Sequence, residues 1–74
     1  MFRAVKNPFV IEVSFDGENV RVVPIKKTKE GIIYRTIARC EEYLAQLFLK
    51  EQQPNNIISG LAGYFKQRGW SISY

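Results

Sequence analysis

Residues 9–15 alternate along the chain, with Phe9, Ile11, Val13 and Phe15 on one side and Val10, Glu12 and Ser14 on the other. A period of two is that of a half-buried β-strand, and Pro8 just before it suits a strand's first position. Asp16-Gly17-Glu18-Asn19 supplies turn residues that tolerate positive φ. The β-rich run 20–25 follows, so the two runs are expected to form a hairpin. Pro24 lacks a backbone donor and places the end of the second run at a sheet edge or a bulge. After the polar loop 26–31, Ile32-Ile33-Tyr34-Arg35 reads as a third short strand because of its β-branched content, making the opening a three-stranded meander.

From about Ile37 to Glu51 the period changes to that of a helix. Ile37, Cys40, Leu44, Leu47 and Phe48 recur at spacings of three and four, with Thr36 as the expected N-cap. Gln52-Gln53-Pro54 should stop this helix. A second begins with Asn55 or Asn56 as cap and carries the stripe Ile57, Ile58, Leu61 and Phe65. Gly60 and Gly63 weaken it unless they allow close helix packing, and Gly69 suits the position just past its end. The tail Trp70-Ser71-Ile72-Ser73-Tyr74 alternates again and reads as a final strand, with Trp70 and Ile72 inward.

The expected fold is therefore α+β in the order β-β-β-α-α-β: one small antiparallel sheet with two helices on one face. Its core should comprise Phe9, Ile11, Val13, Phe15, Val20, Val22, Ile37, Cys40, Leu44, Leu47, Phe48, Leu61, Phe65, Trp70 and Ile72. At 74 residues this is a single domain, and a core that small gives a net stability of roughly 3–5 kcal/mol. With one cysteine and no histidine, neither an internal disulfide nor a His or Cys metal cluster is available to support it. Homodimerisation or a partner is left as the support.

The same inventory argues against catalysis and against a cofactor. Without histidine, Cys40 has no imidazole base, and it reads as a small buried hydrophobe. The adjacent Glu41 and Glu42 read as exposed helix surface. The Gly60-Leu61-Ala62-Gly63 spacing lacks the basic or polar centre of a loop that clamps nucleic-acid backbone. The N-terminal charges Arg3 and Lys6 precede an apolar piece too short for a signal peptide or a membrane span, so a cytoplasmic protein is expected, with no membrane and no small-molecule substrate.

Eleven Lys and Arg against seven Asp and Glu give a net charge of +4, which favours polyanionic partners. Lys26, Lys27 and Lys29 cluster in the loop after the second expected strand. Arg21 and Arg35, each alternating against the core set of its expected strand, should join them on the outer sheet face, with Glu12 as a local partner and Tyr34 nearby. The first expectation for function is thus a small non-enzymatic regulator gripping nucleic-acid phosphates through Arg21, Lys26, Lys27, Lys29 and Arg35. The alternative is a protein-binding inhibitor or adaptor that uses Val10, Val23 and Ile33 at the centre of that face, or an edge strand.

Overall fold

The computed structural model describes residues 1–25, 31–50 and 53–74. Four antiparallel strands form one sheet: β1 (Phe2–Lys6), β2 (Phe9–Phe15), β3 (Val20–Pro24) and β4 (Ser71–Ser73), side by side in the order β3-β2-β1-β4. The helices are α1 (Gly31–Lys50) and α2 (Pro54–Gln67). The order along the chain is β-β-β-α-α-β, as the pattern predicts, and the expected hairpin is β2 and β3. Pro24 ends the edge strand β3. Since the Ile25 N–H donates to the Val10 carbonyl at 2.8 Å, the residues that alternate with Ile25, Pro24 among them, turn their backbone toward the free edge. The missing donor of Pro24 therefore breaks no ladder bond.

The third strand differs from the expected one. Residues 32–35 lie in the opening turns of α1, so nothing pairs beyond β3, and the additional strand is Phe2–Lys6 on the other side of β2. Ile33 stands four residues before Ile37 and so extends the apolar stripe Ile37, Cys40, Leu44 backward. It is 1% exposed. Burial along a continuous helix face outweighs the modest β preference of an Ile-Ile pair. Thr36 accordingly lies inside the helix rather than at its cap. In β1, Phe2 and Ala4 are buried between the exposed Arg3 and the half-buried Val5. Five residues carrying two charges make a weak strand signal in sequence.

Pro54 begins α2 instead of merely stopping α1. Gln53, not Asn55 or Asn56, is the N-cap, and its carbonyl accepts from the N–H groups of Asn56 and Ile57. Proline fits the first helical position because its missing donor would have no intrahelical acceptor there. At the other end, Gly69 adopts φ +86°. The Gly69 N–H donates to Lys66 and the Trp70 N–H to Phe65, the paired closure of a Schellman motif. Trp70 is thereby turned back onto Phe65, ring centroids 5.4 Å apart and nearly perpendicular. Lys6 Nζ donates to the Arg68 carbonyl at 3.1 Å, tying β1 to the negative end of α2.

The core lies between the helices and one face of the sheet. Phe2, Ala4, Ile11, Val13 and Val22 meet Ile33, Ile37, Cys40 and Leu44 from α1 and Ile57, Ile58, Leu61, Ala62, Tyr64 and Phe65 from α2, with Trp70 closing the end. Phe9, Phe15, Val20, Leu47 and Ile72 pack partly buried around it. Phe48, expected in the core, is 46% exposed. It stands about 100° around the helix from Leu47, beyond the edge of the buried arc. Gly60 does permit close helix packing: a Cβ there would come within 3.2 Å of Leu47 Cδ1, whereas one at Gly63 would meet open space.

Candidate interaction surface

With every buried strand residue on the helix side, alternation sends the others to the opposite face. There β1 contributes Arg3 and Val5, β2 contributes Val10, Glu12 and Ser14, β3 contributes Arg21 and Val23, and β4 contributes Ser71 and Ser73. The register sorts them into rows. Ser71, Val5 and Val10 lie side by side, and Ile25 prolongs the row through its bond to Val10. The next row is Ser73, Arg3, Glu12 and Val23, and the last pairs Ser14 with Arg21. Val5, Val10, Val23 and Ile25 thus form one aliphatic group. Val23 is 36% and Ile25 41% exposed.

The charges around this group are arranged differently from the expectation. Glu12 pairs with Arg3, Oε2 to Nε 3.4 Å, on the neighbouring strand, rather than serving Arg21 and Arg35. Arg21 is exposed on the outer face, as expected. It lies toward the β2–β3 turn, where the Asp16 carboxylate accepts from the N–H groups of Asn19 (2.8 Å) and Glu18 (2.9 Å). Those two bonds hold the Asp16 pKa below the usual 3.8, with a smaller contribution from Arg21. Arg35 is exposed on α1 and belongs to no strand. Ile33 is buried in the core and is absent from the surface. Both corrections follow from the helical state of residues 32–35. Lys26, Lys27 and Lys29 lie outside the described residues.

The structure brings Val10 and Val23 together as expected and adds Val5 and Ile25. Val5 was within reach of sequence reasoning, because Phe2-Arg3-Ala4-Val5 alternates in the same sense as residues 9–15. A hollow of about 320 Å³ adjoins the Arg3–Glu12 pair, lined also by Met1, Phe2, Ser73 and Tyr74.

A second groove, of about 350 Å³, runs between the helices and is lined by Arg39, Glu42, Tyr43, Gln46, Tyr64 and Arg68. Its aromatic groups brace the helices against each other. Tyr43 and Tyr64 stack at 4.8 Å between centroids. The Arg68 guanidinium lies 3.6 Å over the Tyr64 ring and donates to the Tyr64 carbonyl at 3.1 Å.

Cys40 lines neither hollow. Cys40 is buried, and burial, aided by the charge of Glu41 and opposed by Arg68, pushes its thiol up to about 12. A thiol held protonated is a poor nucleophile. Among the described residues no three His, Cys, Asp or Glu side chains come together to hold a metal, and no helix is long and apolar enough to cross a membrane. No family model, curated protein or solved structure matches the chain.

Proposed function

We propose that this chain is a non-enzymatic protein-binding module, an inhibitor or adaptor of a larger cytoplasmic assembly, that docks through the outer face of its sheet. The observation behind the proposal is the gathering of Val5, Val10, Val23 and Ile25 in adjoining rows, edged by Arg3, Glu12 and Arg21. An apolar centre with a polar rim is the anatomy of a protein interface. A phosphate-gripping face would instead need its cations together, and of the two described candidates, Arg21 and Arg35, Arg21 lies on this face and Arg35 on α1. A single cysteine, with no partner for an internal disulfide, fits a reducing compartment.

The nucleic-acid reading keeps the support of Arg21 and the net charge of +4, and one experiment separates the two. The wild type, Val23→Glu and a triple Lys26, Lys27 and Lys29→Gln variant are used as bait in native lysate with nuclease present, and titrated separately with labelled duplex DNA at two salt concentrations. The protein-binding reading expects the wild type and the triple variant to retain the same stoichiometric protein and Val23→Glu to lose it, with unchanged melting curves. Phosphate recognition by Arg21 and the three lysines would give duplex binding with a log K against log salt slope of about −3 to −4, flattened by about 2–3 in the triple variant. That result, with no nuclease-resistant protein partner, would replace the proposal.

A further inference from the structure

The groove between the helices is built from facing steps of four residues. Gly60 of α2 lies against Leu47 of α1, where a Cβ would meet Leu47 Cδ1 at 3.2 Å. Four residues on, Tyr64 stacks on Tyr43, four residues back along α1, at 4.8 Å between centroids. The helices are thus antiparallel, and a further step of the same size sets Arg68 level with Arg39. Helices in contact have axes about 8–10 Å apart, so the two guanidinium groups open on the same end of one groove. Both residues line its volume of about 350 Å³. The charge of Arg68 is felt at Cys40, the residue beside Arg39.

We propose that this end of the groove binds a small phosphate monoester between Arg39 and Arg68. Two like charges at one level repel each other unless an anion lies between them. On the sheet, Arg3 has Glu12 as its counter-charge. Arg39 and Arg68 have no carboxylate within ion-pair distance among the described residues. The negative end of α2 accounts for one cation, and Arg68 takes that place through the Tyr64 carbonyl. It does not account for Arg39. Tyr64 supplies an independent sign of a ligand. It lines the groove, is 7% exposed, and its hydroxyl has no hydrogen-bond partner among the described residues. Enclosed polar groups ordinarily have one, and an oxygen of a bound phosphate would accept from this hydroxyl.

Arg68 is already held in position, stacked 3.6 Å over the Tyr64 ring with Nη1 donating to the Tyr64 carbonyl. Its remaining N–H groups keep the fork that matches two oxygens of a phosphate. Two guanidinium groups also match the charge of a monoester, which approaches −2 at neutral pH, whereas a diester carries half of that. The volume is at the low end of small-ligand sites, so there is room beside Tyr43 and Gln46 for the group that bears the phosphate. Glu42 lines the same groove. Its charge disfavours a second anionic group on the ligand, whose body is therefore uncharged or basic.

An NMR titration of the full, ¹⁵N-labelled chain with phenyl phosphate, at constant ionic strength, tests this. The Nε–Hε signals of Arg39 and Arg68 should shift saturably. Dimethyl phosphate, a diester like the nucleic-acid backbone, should bind about tenfold more weakly. Arg39→Gln should weaken phenyl phosphate binding by about tenfold, as expected for one lost charge-assisted pair. Its melting curve should match the wild type because Arg39 is exposed. Tyr64→Phe should weaken binding by roughly threefold to tenfold, again without a change in melting, and Glu42→Gln should tighten it. Arg21→Gln and Val23→Glu, on the sheet, should leave it unchanged, which separates this result from the fate of the sheet-face proposal. The absence of saturable shifts at the two arginines would overturn the inference. So would equal binding of the diester, or binding that survives both Arg39→Gln and Tyr64→Phe.

Discussion

Cys40 is fully enclosed, with Glu41 beside it in the chain. Its thiol titrates near 12 in the fold, against an ordinary value of 9.0. A raised folded value means that Cys40's contribution to stability is complete below pH 9 and is lost as the pH rises from there toward 12. Urea melts on either side of pH 9 should show this alkaline loss, and Cys40→Ala should flatten it. The native protein should also resist alkylation by iodoacetamide under conditions that label the unfolded chain. The glycines divide in a similarly local way. Gly17 and Gly69 hold φ of +101° and +86°, so alanine at either should cost about 1 kcal/mol in denaturant melts. Gly63 lies inside α2 with open space where a Cβ would go, and Gly63→Ala should stabilise by about 0.5–1 kcal/mol. The roles of Gly17 and Gly69 were readable from the sequence, since a turn and a helix end announce themselves locally. That of Gly60 was readable only as an alternative, because the Leu47 side chain opposite it belongs to another element.

Among the elements, β2, β3, α2 and β4 follow from local period, and α1 follows from Ile37 onward. The misassigned segment is instructive. Ile32-Ile33-Tyr34-Arg35 suits a strand by residue type, yet Ile33 is in phase with Ile37, Cys40 and Leu44, and phase decides which side chains reach the core. Phe48 shows the reverse error: its spacing from Leu44 is helical, but the sheet and α2 cover an arc that ends before it. Phe65→Ala should therefore cost about 3–5 kcal/mol and unfold a domain this small, whereas Phe48→Ala should change the melting curve little. Deleting residues 70–74 removes Trp70 from the end of the core and β4 from the edge of β1, and should abolish cooperative unfolding. A truncated chain that melts like the full one would show that the Schellman turn and β4 contribute nothing to the core.

At the scale of the molecule, two helices over one face of a four-stranded sheet leave the other face to water. The sequence marked that face through Val10 and Val23. It misplaced Ile33 and Arg35, since side-chain direction in residues 32–35 depended on the wrong secondary structure. It left out Val5 and Ile25, although Val5 alternates in phase with Arg3 and Ile25 with Arg21 and Val23: Val5 lies in a short strand weakened as a signal by two charges, and Ile25 follows a proline. In the proposed reading, a protein partner docks on the aliphatic rows of this face. Methyl-selective NMR of the labelled chain, with and without the nuclease-resistant partner, tests it most directly. Docking there should shift or broaden the Val5, Val10, Val23 and Ile25 methyls and leave Val13 and Val22, on the helix side, unaffected. Perturbation confined to α1 and α2, with those four methyls unchanged, would contradict it.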